Sequence, residues 1–330
     1  MRAKVEDPDK ESAIHLNQLY LQFWPATVDG LTLGAIYALV ALGYTLVYGV
    51  LRLINFAHSE VFMIGTFGAL FATRWMGIKP GLSSQHTGIG LVLILLACLF
   101  VAAAFSGVTA VVLERVAYRP LRKQGATRLA ALISAIGASY FLRESFAVWR
   151  GRNPEGFPRL FRKAHLFSFH GADFRADKVV IFIGALVVMV ILDRFVGLTK
   201  LGRGIRAVAQ DSESAALMGV NIDRVVTVTF LLGGIMAGVA GLLLLLFQES
   251  TLYSIGFLLG IKAFTAAVLG GIGNLRGALI GGLVLGVMEN YGAAIFGSAW
   301  KDVIAFILLV VILLFRPTGL LGESLGKARV

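Results

Sequence analysis

The chain has 330 residues, of which 57% are hydrophobic and only 15% are charged. A soluble domain carries about 25% charged residues, so this composition excludes an ordinary soluble globular protein. The net charge of +11 does not indicate nucleic-acid binding, because the basic residues lie between apolar runs and form no patch interleaved with aromatic residues.

The N-terminal part divides into an extension and the start of a membrane domain. Residues 1–25 are charged and lack the apolar core of a cleavable signal peptide, so we expect a flexible or interfacial extension. The membrane domain is expected at residues 26–322. Its first apolar run, 26–50, exceeds the length of about 20 residues that a helix needs to cross a bilayer. The run breaks at Arg52.

Eight further apolar runs follow in chain order. They cover residues 61–75, 88–113, 129–148, 179–195, 225–247, 255–272, 277–296 and 303–315. All these runs predict helices, because an isolated strand cannot satisfy its backbone hydrogen bonds in lipid. The expected fold class is therefore all-α: a polytopic integral membrane protein with about eight or nine hydrophobic helical segments.

The basic connectors predict how these segments are oriented. Connectors 115–128 and 200–224 are rich in Arg and Lys, and both are placed in the cytoplasm by parity and the positive-inside rule. Residues 323–330 are then a cytoplasmic tail. Connector 150–178 is also basic but falls outside by parity, and run 255–272 is the candidate for a re-entrant segment that would change the count.

Small residues recur at a spacing of four in the later runs. The pairs are Gly234 and Gly238, Ala237 and Gly241, Gly277 and Gly281, and Gly282 and Gly286. In lipid, such positions allow the close backbone approach that holds helices together. The pairs therefore predict helix contacts, although glycine is also simply common in membrane helices.

The connector at about 197–224 carries the signals of a short cytoplasmic helix. Asp211 is a predicted N-cap, Glu213 lies in the first turn where the helix dipole favours an anion, and Gly219 suits a left-handed C-terminal position. We expect a helix of about two turns. It is either an interfacial helix that lies on the lipid headgroups or a rigid, protruding helix that docks on a partner protein.

Polar residues within membrane spans are costly, so each is a functional candidate. Lys262 and Glu289 lie at similar depths if their runs form a hairpin turning near Asn274. They can then form a buried ion pair. Such a pair either fixes packing or takes part in gating or solute passage.

A second polar group, Asn55, His58 and Glu60, occupies the break between the first two runs. A helix start at this position can face a polar cavity and bind an anionic carboxylate. The alternative is that Asn55 caps the helix, with His58 and Glu60 at the membrane interface.

Several sequence blocks together resemble one family of transporter subunits. The blocks are GLTLGAIYAL (30–39), INFAH (54–58), GRGIRAVAQDSESAALMGVN (202–221), GGIGN (270–274) and RPTGLLG (316–322). In order and spacing they resemble the permeases of ATP-binding-cassette (ABC) importers of the branched-chain amino acid (LivH/LivM) type, the LivH subgroup most closely. Ser59 departs from the family pattern, in which glycine is expected.

The resemblance implies a transporter subunit that is driven by ATP hydrolysis on other chains. No Gly-x-x-x-x-Gly-Lys-Ser/Thr loop occurs in the sequence, so we expect no enzyme activity and no bound cofactor, with ATP and Mg²⁺ on separate cytoplasmic ABC ATPase subunits. These subunits are expected to dock on the short helix, which then acts as a cytoplasmic coupling helix. The implied coupling residues are Arg203, Arg206, Asp211, Glu213 and Gly219. The candidates for the translocation path are Asn55, His58, Glu60, Lys262 and Glu289.

The resemblance also implies partners, a location and a solute class. The partners are a second LivM-like permease or a second copy of this chain, an extracytoplasmic solute-binding protein and the lipid of a bacterial plasma (inner) membrane. The expected solutes are branched-chain or other hydrophobic amino acids. Urea or short amides, or a stand-alone ion-coupled transporter, are the alternatives.

The single Cys98 and the scattered histidines predict no metal site.

Overall fold

The computed structural model describes residues 16–80, 87–160, 163–169 and 171–322. Within these ranges the chain is almost entirely helical, which confirms the predicted all-α class. Each of the nine apolar runs lies on a helix. The helices are α1 (Leu16–Leu51), α2 (His58–Trp75), α3 (Ile89–Leu113), α4 (Arg119–Lys123), α5 (Arg128–Arg150), α6 (Ala176–Leu198), α7 (Lys200–Gln210), α8 (Ser212–Leu217), α9 (Ile222–Gln248), α10 (Ile255–Gly270), α11 (Leu275–Phe296) and α12 (Lys301–Phe315).

Six helical segments in the described part of the chain are long and apolar enough to cross a membrane. They contain α1, α3, α6, α9, α11 and α12. The other three predicted segments differ for simple reasons: α2 and α5 are less apolar over their length, and α10 has only 16 residues. The chain is therefore a polytopic membrane protein, and the number of eight or nine spans stays a prediction.

Helix α1 lies at the centre of the bundle. Nearly all side chains of residues 33–47 are buried, because α6, α9, α10 and α11 pack around them. Within the described residues α1 extends from Leu16, so residues 16–25 are part of this helix. The Phe23 ring stacks on Tyr291 of α11, with ring centroids 5.3 Å apart, which ties this first part of α1 to the bundle. Residues 1–15 lie outside the described part.

One end of the bundle, here called the α8 end, gathers both connectors that were predicted to be cytoplasmic. The Arg52 guanidinium, after α1, donates to the Ala209 carbonyl of α7 at 2.5 Å. Arg122 of α4 pairs with Asp223 at the start of α9, also at 2.5 Å. Residues 316–322 lie at the same end, beside the last turn of α10.

The opposite end, here called the hairpin end, carries connector 150–178. Strands β2 (His165–Phe169) and β3 (Ala172–Arg175) form an antiparallel hairpin, while β1 (Glu155–Gly156) pairs with β4 (Ser250–Thr251). These strands leave no periodic signal in the sequence, because two to five residues are too few for one. The two ends match the predicted parity, whereas the orientation in a membrane stays a prediction.

Helix α10 connects these two ends. It begins just after β4 at the hairpin end, and its last turn meets the chain after α12, where the Leu320 amide donates to the Leu269 carbonyl at 2.8 Å. The run 255–272 therefore does not return to the end at which it starts, in contrast to the re-entrant alternative. The chain reverses only at Asn274, whose side chain caps the start of α11.

The spaced glycines make the close helix contacts that the sequence predicts. A Cβ atom added to Gly238 of α9 would stand 2.7 Å from the carbonyl carbon of Ala102 in α3. One added to Gly286 of α11 would stand 2.5 Å from the Cα atom of Gly34 in α1. These helices therefore approach each other more closely than any side chain allows.

We expect Gly238→Ala to lower the stability of the bundle by about 1–3 kcal/mol, because the added methyl group overpacks the contact between α3 and α9. Thermal unfolding of the purified protein in detergent measures the effect. The matched control is Gly90→Ala in α3, where an added Cβ meets nothing within 4 Å. Equal melting temperatures for the two variants would contradict the role of this contact.

Candidate functional site

The α8 end presents a small helix whose caps are those predicted from the sequence. Asp211 Oδ1 accepts hydrogen bonds from the amides of Glu213 and Ser214, at 2.9 and 3.3 Å. The Ser214 hydroxyl donates to the other carboxylate oxygen, and with the amides it lowers the pKa of Asp211 below its ordinary value. Gly219 follows with a left-handed φ of +82°. The predicted helix is thus observed as α8, with six residues.

Helix α7, which the sequence analysis missed, mounts α8 on the bundle. Arg206 donates to the Val196 and Gly197 carbonyls in the last turn of α6, at 2.8 and 3.2 Å. Gly202 lies directly against Val196, so a Cβ atom there would collide with the backbone. Arg206 therefore holds α7 in place, whereas Arg203 is exposed on the surface. The missed sequence signal was the recurrence of small or apolar residues at a spacing of three, at Gly202, Ile205 and Val208, which are the buried residues of α7.

The far end of α8 is apolar and uncovered. Leu217 is 89% exposed and Met218 is 86% exposed, while Ala215 is buried against the bundle. Two adjacent, almost fully exposed apolar side chains at the tip of a capped helix indicate a surface that contacts another molecule.

A cleft of about 670 Å³ opens beside this helical unit. Its walls include Arg52, Arg206 and Arg276, together with Asp193 and, deeper in the bundle, Thr45. Arg276 Nε lies 3.7 Å from Asp193 Oδ1, so three positive charges face one negative charge. The cleft gives the α8 end a polar entrance toward the bundle interior.

Lys262 and Glu289 form the predicted ion pair. Lys262 Nζ lies 2.7 Å from Glu289 Oε1 and 2.6 Å from Asp302 Oδ1, so the pair extends to a carboxylate of α12 that the sequence analysis did not include. Glu289 is buried and Lys262 is 13% exposed. Each charged group has an opposite charge beside it, and the cluster ties α10, α11 and α12 together.

The three polar residues of the chain break are all buried, so they do not lie at an exposed interface. Asn55 Oδ1 accepts a hydrogen bond from the Tyr118 hydroxyl at 2.8 Å. It does not cap α2, which has Ala57 before its first residue and no side-chain cap. The His58 ring packs edge-on against Tyr44, with ring centroids 4.8 Å apart, and His58 Nε2 has no hydrogen-bond partner among the described residues.

Glu60, in the first turn of α2, faces helix α5. Ser139 of α5 donates to Glu60 Oε1 at 3.3 Å, but Glu60 Oε2 is buried with no hydrogen-bond partner in the described part of the chain. Arg143 lies one helical turn after Ser139, with its guanidinium 4.5 Å from the Tyr140 ring centroid. The sequence analysis did not select Arg143, although an arginine within apolar run 129–148 is the signal by which it could be found.

At the hairpin end, basic residues of connector 150–178 pair with acidic residues. This pairing explains why a basic connector is tolerated there. Lys163 and Arg159 pair with Glu249 at 2.5 and 2.8 Å, and Arg150 pairs with Glu155 at 2.5 Å. Burial raises the pKa of Glu249, but the hydrogen bonds from Lys163 and Arg159 outweigh it and lower that pKa overall.

Comparison with known proteins assigns this chain to a family. The family described as "Branched-chain amino acid transport system / permease component" matches residues 26–313. The permease protein BraD of the high-affinity branched-chain amino acid transport system of Pseudomonas aeruginosa is 44% identical over 299 residues, covering 90% of this chain and 94% of BraD. The corresponding permease LivH of Escherichia coli K12 is 42% identical over 321 residues, covering 93% and 98%. LivH of Salmonella typhimurium is 41% identical over 314 residues, with the same coverage.

The buried ion pair predicts a strong effect of removing its cation. Lys262→Met leaves the Glu289 carboxylate buried without a counter-charge, which costs about 3–5 kcal/mol of stability. Thermal unfolding in detergent should therefore show a large drop in melting temperature, partly restored by Glu289→Gln in the same chain. Lys301→Met is the control, because Lys301 donates only to the neutral Asn290. The hypothesis is wrong if Lys262→Met and Lys301→Met unfold alike.

Capping by Asp211 predicts a local effect in α8. In Asp211→Ala the amides of Glu213 and Ser214 lose their acceptor, so their hydrogen exchange should become faster by roughly fivefold. Asp211→Asn keeps an acceptor and is the control. Because the pKa of Asp211 is lowered, the charged cap is present at neutral pH and weakens only when the pH falls through that lowered pKa. Unchanged exchange in Asp211→Ala would disprove this role.

Proposed function

This chain belongs to the family of branched-chain amino acid transport permeases, and we propose that it carries leucine, isoleucine and valine across the membrane as one permease subunit of an ABC importer. The relatives support this solute class, since BraD and both LivH proteins belong to branched-chain amino acid transport systems. No comparable observation favours urea or short amides.

The energy for transport comes from separate ATPase subunits, as in other ABC permeases, and we place ATP and Mg²⁺ on those subunits. The observation that carries their docking site is the exposed apolar tip of α8, Leu217 and Met218, on a firmly mounted helix. An ATPase subunit that seats this tip in an apolar pocket can push or pull α8 as a rigid body.

Motion of α8 has a direct structural route into the bundle. Arg206 joins α7 to the last turn of α6, and Arg52 joins it to the end of the central helix α1. A displacement of the α7–α8 unit therefore acts on α6 and α1 together. Asp211, Glu213 and Gly219 shape α8, Arg206 transmits its movement, and exposed Arg203 is available to the ATPase.

The remaining partners follow from the two ends of the bundle. With the α8 end in the cytoplasm, the hairpin end faces outward, where its strands and paired charges form a firm surface for a solute-binding protein. A second permease, LivM-like or a second copy of this chain, completes the path in the plasma (inner) membrane of a bacterium.

Reconstitution tests this function directly. Proteoliposomes containing this chain alone should take up no radiolabelled leucine, whereas the complete complex with ATP and loaded binding protein should accumulate it. The two preparations differ because this chain has no energy source of its own. Uptake by the isolated chain would overturn the proposal.

We expect Leu217→Asp to abolish co-purification of the ATPase subunits, because it places a charge in the apolar docking contact. Pull-down of the tagged permease from membranes measures this. Ser212→Asp adds the same charge to the exposed first turn of α8 and should leave the complex intact. Arg206→Glu should also release the ATPase, but through loss of the bonds between α7 and α6. Equal ATPase recovery with Leu217→Asp and Ser212→Asp would refute docking at the tip.

A further inference from the structure

Two charged clusters lie within the helical bundle, and each contains one buried carboxylate oxygen, Glu289 Oε2 or Glu60 Oε2, without a hydrogen-bond partner in the described chain. Lys262 stands between two carboxylates, Glu289 and Asp302, each at less than 3 Å. Arg143 and Glu60 form the other cluster, with hydrogen-bonding capacity left over. Buried polar atoms without partners are costly, so the second cluster is incomplete in this conformation.

The second cluster brings together residues of α2 and α5. From α2 comes Glu60, which is fully buried and has one oxygen without a partner. From α5 comes Arg143, 19% exposed, whose buried Nε atom lies 3.5 Å from Glu144 Oε1 but has no hydrogen-bond partner among the described residues. Ser139, on the same face of α5 as Arg143, bonds to Glu60 and so places these two groups side by side.

Aromatic rings frame the arginine on its open side. The guanidinium lies 4.5 Å from the Tyr140 ring centroid and 5.8 Å from that of Phe257 on α10, and both rings are about half exposed. Gly256, the neighbour of Phe257, approaches Glu60 so closely that a Cβ atom there would stand 3.2 Å from Glu60 Oε2. One glycine and one aromatic residue of α10 therefore border both charged groups.

Helix α5 lies on the outside of this cluster, so Arg143 is partly exposed while Glu60 is fully buried. Its buried residues are Ala131, Ala135 and Ala147, so most of its surface is uncovered by the described chain. Arg143 is seven residues before the end of α5, about 10 Å deep at 1.5 Å per residue. At that depth the half-exposed carboxylate of Glu144 is costly in lipid, so this face borders water or another protein.

We propose that Glu60 and Arg143 form a transient binding site for the α-ammonium and α-carboxylate groups of an amino acid during its passage. The inference rests on the proposed function and deepens it by naming the site and the ligand class. Arg143 offers planar donors to a carboxylate, and Glu60 offers a free acceptor oxygen to an ammonium group. Tyr140 and Phe257 supply an apolar border for an aliphatic side chain.

Among the path candidates, this assignment separates Glu60 from Lys262 and Glu289, which form an ion pair with each other. A zwitterion brings one positive and one negative group, so it can satisfy Arg143 and Glu60 without adding net charge to the membrane interior. Lys262 and Glu289 are ion-paired at 2.7 Å and hold their helices together, while Glu289 Oε2 has no hydrogen-bond partner in the described part of the chain.

The test uses the complete complex in proteoliposomes with saturating loaded binding protein. The measured quantity is leucine taken up per ATP hydrolysed. Arg143→Gln and Glu60→Gln should keep the ATP hydrolysis that loaded binding protein stimulates, while uptake per ATP falls about tenfold or more, the loss expected for one charge-assisted hydrogen bond. Arg143→Lys keeps the charge but not the planar fork, so its ratio should be intermediate.

The control is Arg128→Gln, which removes an exposed arginine from the other end of α5 and should leave the ratio unchanged. If Arg143→Gln fails to assemble, Arg143→Lys decides, and a ratio equal to that of the unmodified complex overturns the site. A purely structural role would lower yield, ATP hydrolysis and uptake together at constant ratio, which also overturns it. Absence of leucine uptake by the unmodified complex would instead refute the proposed function.

Discussion

Close contact between helix backbones is the constraint on which this structure depends. An apolar side chain gains no free energy when it exchanges contact with lipid for contact with another helix. Membrane helices therefore hold together through short-range packing and hydrogen bonds. Gly238 against Ala102 and Gly286 against Gly34 bring α9 to α3 and α11 to α1 at backbone distance. The central position of α1 follows from these contacts, because its neighbours can surround it only where small residues let them approach.

A tightly packed bundle of this kind can transmit force from a single attachment point. Helix α8 is capped by Asp211, and α7 is bonded to α6 through Arg206 and to the end of α1 through Arg52. The exposed tip at Leu217 therefore connects to the most buried helix of the protein through a few short bonds. In the function proposed here, ATP hydrolysis on a partner chain acts on the bundle through this connection.

The polar groups inside the bundle divide into supports and a candidate solute site. The Lys262 cluster joins three helices through two ion pairs, although Glu289 Oε2 has no hydrogen-bond partner among the described residues, and Glu60 Oε2 and Arg143 Nε also lack one. A transporter needs both kinds of group, since ion pairs stabilise one arrangement of helices and hydrogen-bonding atoms without partners bind a polar solute for a short time. Burying a polar atom without a hydrogen-bond partner costs free energy. In the proposed mechanism a bound solute supplies the missing partner and so removes that cost.

The sequence alone determined the membrane class, the nine helical runs, the caps of α8 and the family, because run length, cap residues and motif blocks are local signals. It also located the Lys262–Glu289 pair, since a tight turn fixes the register of two adjacent helices. The tertiary structure decided what distant helices share: Asp302 beside Lys262, Ser139 against Glu60, and Arg143 beneath Phe257. Those neighbours depend on helix packing across long sequence separations, which no local pattern of residues records.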